Sequence, residues 1–248
     1  MIAGAEDVKA LRKAGRIVGT VIDELKERCA RFPGVSTAQL DGIARAMILK
    51  MGGYPAFKGY KGFPGNICVS INETVVHGIP SDRVIREGDI VSLDIGVKFR
   101  EYFADGAATV GVGKITSAAA KLISVTEEAL NIGIDLAVSG RHLSDMSAAI
   151  QSHVESNGFN VVRAFVGHGI GKNLHEDPEI PNYGRPGSGP VLKAGMVLAI
   201  EPMVNAGTFE IEVLQDGWTA VTKDRKLSAH FEHTVLVGDQ KAEVLTRV

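Results

Sequence analysis

Two stretches of this chain can be laid on one another. "GVSTAQLDGIARAMILKMGGYPAF" and "GRHLSDMSAAIQSHVESNGFNVVRAF" each open on a glycine after a long helical pattern, run through a second helix and stop at a glycine–aromatic pair. The two spans differ by one residue at the Gly53/Gly158 stop. The surrounding pattern repeats as well. Residues 6–31 form an amphipathic helix, with Val8, Leu11, Ala14, Ile17 and Val18 at three- and four-residue spacing, broken by Pro33-Gly34. "STAQLDGIARAMILKMGG" has a hydroxyl N-cap at Ser36 or Thr37 and a glycine stop. Strand-like runs follow: "NICVSI", "DIVSLDIGVKF" and "YFADGAATVGV". Helical signal returns at "TSAAAKLISVTEEALNIGIDLAV" and "SDMSAAIQSHVESNGF", and strands resume at "VVRAFV", "MVLAIEPMV", "FEIEVL", "WTAVT" and "FEHTVLV".

Helices therefore come in pairs and do not alternate singly with strands, which is an α+β pattern. Two similar α-α-β halves, about 1–112 and 113–248, would share one sheet and leave a cleft near their pseudo-twofold axis. No Pro/Ser linker separates them, so the expectation is one domain over 1–248 with two lobes and no N-terminal extension.

Composition narrows the partners. Hydrophobic residues make up 45% and charged residues 23%, which is ordinary for a globular chain of 248 residues. A net charge of −2 offers no basic field for nucleic acid. No uncharged apolar run approaches membrane-spanning length. The N-terminus turns charged too early for a signal peptide. Cys29 and Cys68 are too few for a disulfide framework or a four-cysteine zinc site. A cytoplasmic location is expected.

Acids then stand where strands should be apolar. In "IVSLDIGV", Val91, Leu93, Ile95 and Val97 alternate on one face, and Asp94 lies on the other. Asp105 sits in the next strand pattern, and a hairpin centred near residues 99 and 100 would put the two directly opposite. Like charges opposite one another repel, and two buried carboxylates do not both ionise without a cation. Glu201 interrupts "MVLAIEPMV" and Glu232 interrupts "AHFEHTVLV" in the same way. Any one of these acids alone reads as the solvent-facing residue of a half-exposed strand. Four of them together with His168, in a glycine-rich turn, make a ligand set suited to Mn, Fe, Co or Zn. Five ligands exceed what one structural zinc takes, and two ions sharing carboxylates account for the number.

His168 lies in "GHGIGKNLHEDP", which fits neither common alternative. It lacks the spacing and hydroxyl of a phosphate loop, and H-x6-H-E is not the HExxH of a zinc-protease helix. The order Asp94, Asp105, His168, Glu201, Glu232, with "SINETVVHGIP", "GDIVSLDIG", "FVGHGIGKNLHEDPEIPNY", "AIEPMV" and "DGWTAVT", resembles the type I methionine aminopeptidases. The resemblance covers the chain from "VKALRKAGRIVG" to "FEHTVLV" and implies the pita-bread fold, with a central, mainly antiparallel sheet.

The same resemblance implies an activity: removal of the initiator methionine ahead of a small second residue, by attack of a metal-activated water. It also implies a role for each residue of the motifs. Asp94 would bind one ion, Asp105 and Glu232 would bridge two, and His168 and Glu201 would complete the other. Glu201 would also carry the proton. His77 would approach the scissile nitrogen, and His175 would stabilise the oxyanion. Without the resemblance, His77 reads as a turn residue and His175 as a turn cap. Tyr60, Phe63, Cys68 and Trp218 would form the methionine pocket, with Phe57 and Leu174 at its rim. From pattern alone, Phe63 and Trp218 are core residues and Cys68 a small buried hydrophobe. His230, which faces as Glu232 does at alternate spacing, is given at most a supporting place behind a ligand. Two divalent ions (Co, Mn, Fe or Zn), with room for a monovalent cation, would be the cofactors. Nascent N-termini near the ribosome would be the partners of a monomer. X-prolyl aminopeptidases of the same fold, and non-catalytic binding modules on it, are the rival readings.

Overall fold

The computed structural model describes residues 4–31 and 33–248. The N-terminal segment, in which no signal peptide is expected, begins with three residues that lie outside the described ones.

Among the described residues, four α-helices carry the outer layer: α1 (Ala5–Arg31), α2 (Thr37–Lys50), α3 (Ser117–Leu136) and α4 (Leu143–Ser156). In α1, Leu11, Ala14, Ile17, Val18, Val21 and Leu25 are fully buried, so the expected apolar stripe is the face laid on the sheet. Gly15 and Gly19 lie on α1 where the C-terminal segment crosses it. A Cβ there would stand 2.3 Å from the Leu245 carbonyl oxygen or 2.4 Å from that of Thr246.

The repeat seen in sequence has local counterparts. Ser36 caps α2 by accepting from the Gln39 N–H at 3.2 Å, while Gln39 Oε1 accepts from the Ser36 N–H. At the matching place His142 precedes α4, and its N–H donates to Asp145 Oδ2 at 3.1 Å. Both helices end at glycines in the left-handed region, Gly52 (φ 83) and Gly158 (φ 85).

Among the described residues the main sheet has nine strands, all paired antiparallel, and two three-stranded sheets flank it. Its spine is the hairpin Ile90–Phe99 and Tyr102–Gly111, over which α1 packs. Beyond Tyr102–Gly111 come, in spatial order, Glu232–Leu236, Val197–Ile200, Gly167–Gly169 and Glu176–Ile180. On the other side of the hairpin, Cys68–Ile71 pairs with Ile90–Phe99. Strands from both halves thus meet side by side, bringing residues 94 and 105 next to residues 232, 201 and 168.

The hairpin register corrects one expectation. Asp94 pairs with Ala107 and Asp105 with Gly96, so the two acids are diagonal neighbours and not directly opposite. The turn is Arg100-Glu101, with Arg100 in the left-handed region (φ 56). It lies one residue later than the sequence suggested, which shifts each pairing by two and keeps both acids on one face. "VVRAFV" is also shorter than expected as a strand, reduced to Asn160–Val161. No helix is long and apolar enough to cross a membrane among the described residues.

Candidate metal centre

One cavity of about 170 Å³ is lined by Asp94, Asp105, His168, Glu201 and Glu232. Its wall continues through His77 and His175 into Tyr60, Phe63, Cys68 and Trp218, with Phe57 and Leu174 also lining it. Every ligand, catalytic and pocket residue expected from sequence therefore borders the same space.

Asp105, His168 and Glu232 are all buried, and each offers a ligand atom within 4.8 Å of the others. Asp94 and Glu201 are half-buried on the cavity wall. His168 Nε2 lies 3.5 Å from Asp105 Oδ2 and 3.6 Å from Glu201 Oε1. Asp105 is held from behind by Thr234, whose hydroxyl donates to its backbone carbonyl at 2.8 Å and sits 3.1 Å from Oδ1.

The glycines around His168 have a specific reason. The Gly167–Gly169 strand is squeezed between Val197–Ile200 and Glu176–Ile180. A Cβ on Gly167 would meet the Ala199 carbonyl oxygen at 2.4 Å, and one on Gly169 the Asp177 carbonyl oxygen at 2.2 Å. Only glycine lets backbone pass this close on both sides of the imidazole.

The donor set fits a divalent cation. Four carboxylates face one another with their pKa values raised. Asp94 is pushed up to about 7 and Glu201 to about 8, first by loss of solvent and then by the neighbouring acids. Glu232 and Asp105 are raised for the same leading reason. His168 Nδ1 lies 2.9 Å from the Gly169 carbonyl oxygen. With the proton on that nitrogen, the Nε2 lone pair points at carboxylate oxygens. Lone pairs facing lone pairs are repulsive until a cation stands between them.

The two other histidines are placed by aromatic contacts. His77 occupies the left-handed region (φ 60), a strained backbone for a non-glycine residue and one that recurs at functional sites. Its ring takes the edges of Phe165 at 5.3 Å and Trp218 at 6.2 Å. Burial lowers its pKa to about 4, with His230 adding to the effect. His175 stands at the mouth, stacked on Tyr60 at 5.3 Å and 4.2 Å from the His168 ring. Its Nδ1 is 2.9 Å from the Tyr60 hydroxyl. If that hydroxyl donates, Nε2–H is left free as a neutral donor. Partial burial, His168 and Lys61 all lower the His175 pKa, which favours the neutral ring.

Trp218 is set by the turn before it. Asp216 accepts from the N–H groups of Trp218 and Thr219, each at 2.8 Å, and Phe63 meets the indole edge-on at 5.1 Å. Cys68 pairs in register with Asp94 across the strand pair. Burial, then the nearby acids, push its thiol well above its ordinary value. That makes a nucleophilic thiolate unfavourable.

Two residues at the site escape a reading of the sequence. Phe165 ends the second repeat as Phe57 ends the first, and the internal alignment is the signal that points to it. Lys61, in the left-handed region (φ 47), lines the cavity and leaves no sequence signal. His230, given at most a supporting place behind a ligand, is buried with its Nε2 3.7 Å from Glu201 Oε2.

Antiparallel strands from two halves converge here on a buried carboxylate–imidazole cluster, the arrangement of a metallopeptidase of the pita-bread fold. Residues 9–239 match the family described as "Metallopeptidase family M24", and the chain belongs to that family. It is 54% identical to methionine aminopeptidase 1 of Bacillus subtilis over 238 residues, covering 96% of this chain and 95% of the relative. The crystal structure of methionine aminopeptidase from Thermotoga maritima superposes with a TM-score of 0.98 at 44% identity, covering 100% of this chain and 99% of that one. Prolidase from Pyrococcus furiosus shares the fold alone, with a TM-score of 0.79 at 22% identity, this chain covering 65% of its length.

Proposed function

We propose that this chain is a methionine aminopeptidase that removes the initiator methionine from nascent polypeptides with a small second residue. The observation that carries the reading is the single cavity in which an apolar, aromatic pocket opens directly onto the carboxylate–imidazole cluster. An unbranched thioether suits walls made by Tyr60, Phe63, Cys68 and Trp218, with Phe57 and Leu174 at the rim. The similarity to methionine aminopeptidases along the whole chain supports the same assignment.

Asp94, Asp105, His168, Glu201 and Glu232 would hold two divalent ions. When bound, the ions supply a water acidic enough to deprotonate near neutral pH, and they polarise the scissile carbonyl. The chain's own groups do the rest. Glu201 takes the proton and passes it to the leaving amine. His77, its ring held by Phe165 and Trp218, approaches the scissile nitrogen. His175, with Tyr60 on Nδ1, directs its Nε2–H to the oxygen that becomes negative. Asp105, held by Thr234, keeps the cluster's geometry.

The test is a peptide assay with Met-Ala-Ser, Met-Leu-Ser and Ala-Pro substrates under Co, Mn, Fe and Zn in turn. Cleavage of Met-Ala-Ser alone is expected. Cleavage of the Ala-Pro substrate alone would turn the reading to an X-prolyl peptidase. Inactivity with every metal, and no metal bound, would make the chain a binding module on this fold.

A further inference from the structure

Four imidazoles crowd the centre, and three have work assigned. His230 has none. It ends the Ser228–His230 strand and is 2% exposed. Its backbone is fixed twice by one side chain. The His230 N–H donates to Thr109 Oγ1 at 2.9 Å, and its carbonyl accepts from that hydroxyl at 2.8 Å. Across the sheet it pairs with Met203, two residues beyond Glu201. Its buried Nε2 has no hydrogen-bond partner among the described residues. That atom stands 3.7 Å from Glu201 Oε2.

Glu201 is therefore bracketed. His168 Nε2 lies 3.6 Å from Oε1, and His230 Nε2 lies 3.7 Å from Oε2. Glu201 lines the cavity and His230 does not, so His230 reaches the centre from behind the carboxylate. A buried ring nitrogen without a partner is a costly arrangement that calls for an explanation. A carboxylate oxygen is the group close enough to relieve it.

We propose that His230 is a positioning residue for Glu201. In the tautomer with the proton on Nε2, it donates to Oε2 and keeps Oε1 turned toward His168 and the ions. The contact is about half an ångström longer than a hydrogen bond. Such contacts tighten when a catalytic site is loaded. Partners behind a ligand fix its orientation, and their loss typically weakens metal affinity by about 10–100-fold. The proposal rests on the reading of Glu201 as metal ligand and proton carrier.

The experiment compares wild-type protein with His230→Gln and His230→Leu. Glutamine carries a side-chain N–H to replace the imidazole donor, and leucine carries none. Each is titrated with cobalt(II), following visible absorption and calorimetric affinity, and kcat and KM are measured on Met-Ala-Ser. In H230L one cobalt should bind about 10–100-fold more weakly, with altered absorption bands. Its kcat should fall while KM stays near wild type. H230Q should stay close to wild type in every readout. Wild-type cobalt binding in H230L overturns the proposal. So does equal impairment of H230Q and H230L with loss of one bound cobalt, which would make His230 a ligand itself. A second measurement needs no variant. Nitrogen NMR of histidine-labelled, zinc-loaded wild type should find the His230 proton on Nε2, and a proton on Nδ1 overturns the proposal. Wild-type protein that binds no cobalt removes the underlying metal reading as well, and that result precedes any comparison of variants.

Discussion

The two halves feed the same cavity by different means. From the first half, Asp94 and Asp105 sit within ten-residue strands paired along their whole length. From the second, His168 is the middle of a three-residue strand, Glu201 follows a four-residue strand, and Glu232 begins a five-residue one. One half aims its ligands with a continuous ladder. The other aims them with strand ends, glycines and close backbone crossings. Long ladders tolerate local change because many neighbouring hydrogen bonds hold the register, and short strands depend on each contact.

The largest effect should come from substituting one acid from each half. Asp94→Asn and Glu201→Gln should each lower kcat/KM by about 10³-fold or more. They should differ in rescue. Excess divalent metal should recover part of the D94N activity and little of the E201Q activity, because Glu201 also moves the proton. Equal rescue of both would erase that division of labour. Next in size, His175→Ala should lose about 10²–10³ in kcat while keeping both metals in an elemental analysis. Loss of metal in that variant would show His175 to be a ligand.

Stability should separate the halves more gently. Gly169→Ala drives a Cβ to 2.2 Å from the Asp177 carbonyl oxygen, a backbone atom that cannot rotate aside as a side chain does. We expect a loss of about 1–3 kcal/mol in urea denaturation. Gly106→Ala, in the first-half hairpin, meets a Val18 methyl at 3.1 Å. That side chain yields more readily, so the loss should be smaller. A Gly106→Ala cost equal to that of Gly169→Ala would remove the contrast between ladder and crossing.

The smallest effect is a pH dependence shared by both halves in metal-free protein. Asp94 and Glu201 have folded pKa values raised to about 7 and about 8. The folded state then binds more protons than the unfolded one, so stability falls as pH rises through those values. His77 and His233 are lowered to about 4 and work in the opposite sense, but only below their ordinary pKa of about 6.5. Between pH 6.5 and 8 the acids therefore dominate. Thermal melts of apo-protein should show Tm falling across that window, and added divalent metal should abolish the slope. A Tm that rises with pH in the apo-protein would show that the acids are not held uncompensated.

Much of the site is legible in the sequence because its chemistry conflicts with its surroundings. Asp94, Asp105, Glu201 and Glu232 break apolar strand patterns, and glycines flank His168 where a β-branched residue would be ordinary. Such conflicts are visible one residue at a time. The hairpin register is not, because a turn one residue later changes every pairing by two while leaving the alternation intact. Phe165 reads as one residue of a strand pattern, Lys61 leaves no signal, and His230 reads as a supporting residue behind a ligand.

By itself, the sequence determined the paired-helix order, the helix caps and stops, the acids that strands do not otherwise tolerate, and the residue types of the donor set. These follow from periodicity and from the cost of burying charge, both local properties. Only the tertiary structure decided which strands lie side by side, that Cys68 pairs with Asp94, and that Phe165 packs on His77. It also decided that Glu201 stands between two imidazoles. Those contacts join residues distant in sequence, and their geometry is set by sheet pairing and packing across the two halves, which no single stretch of the chain encodes.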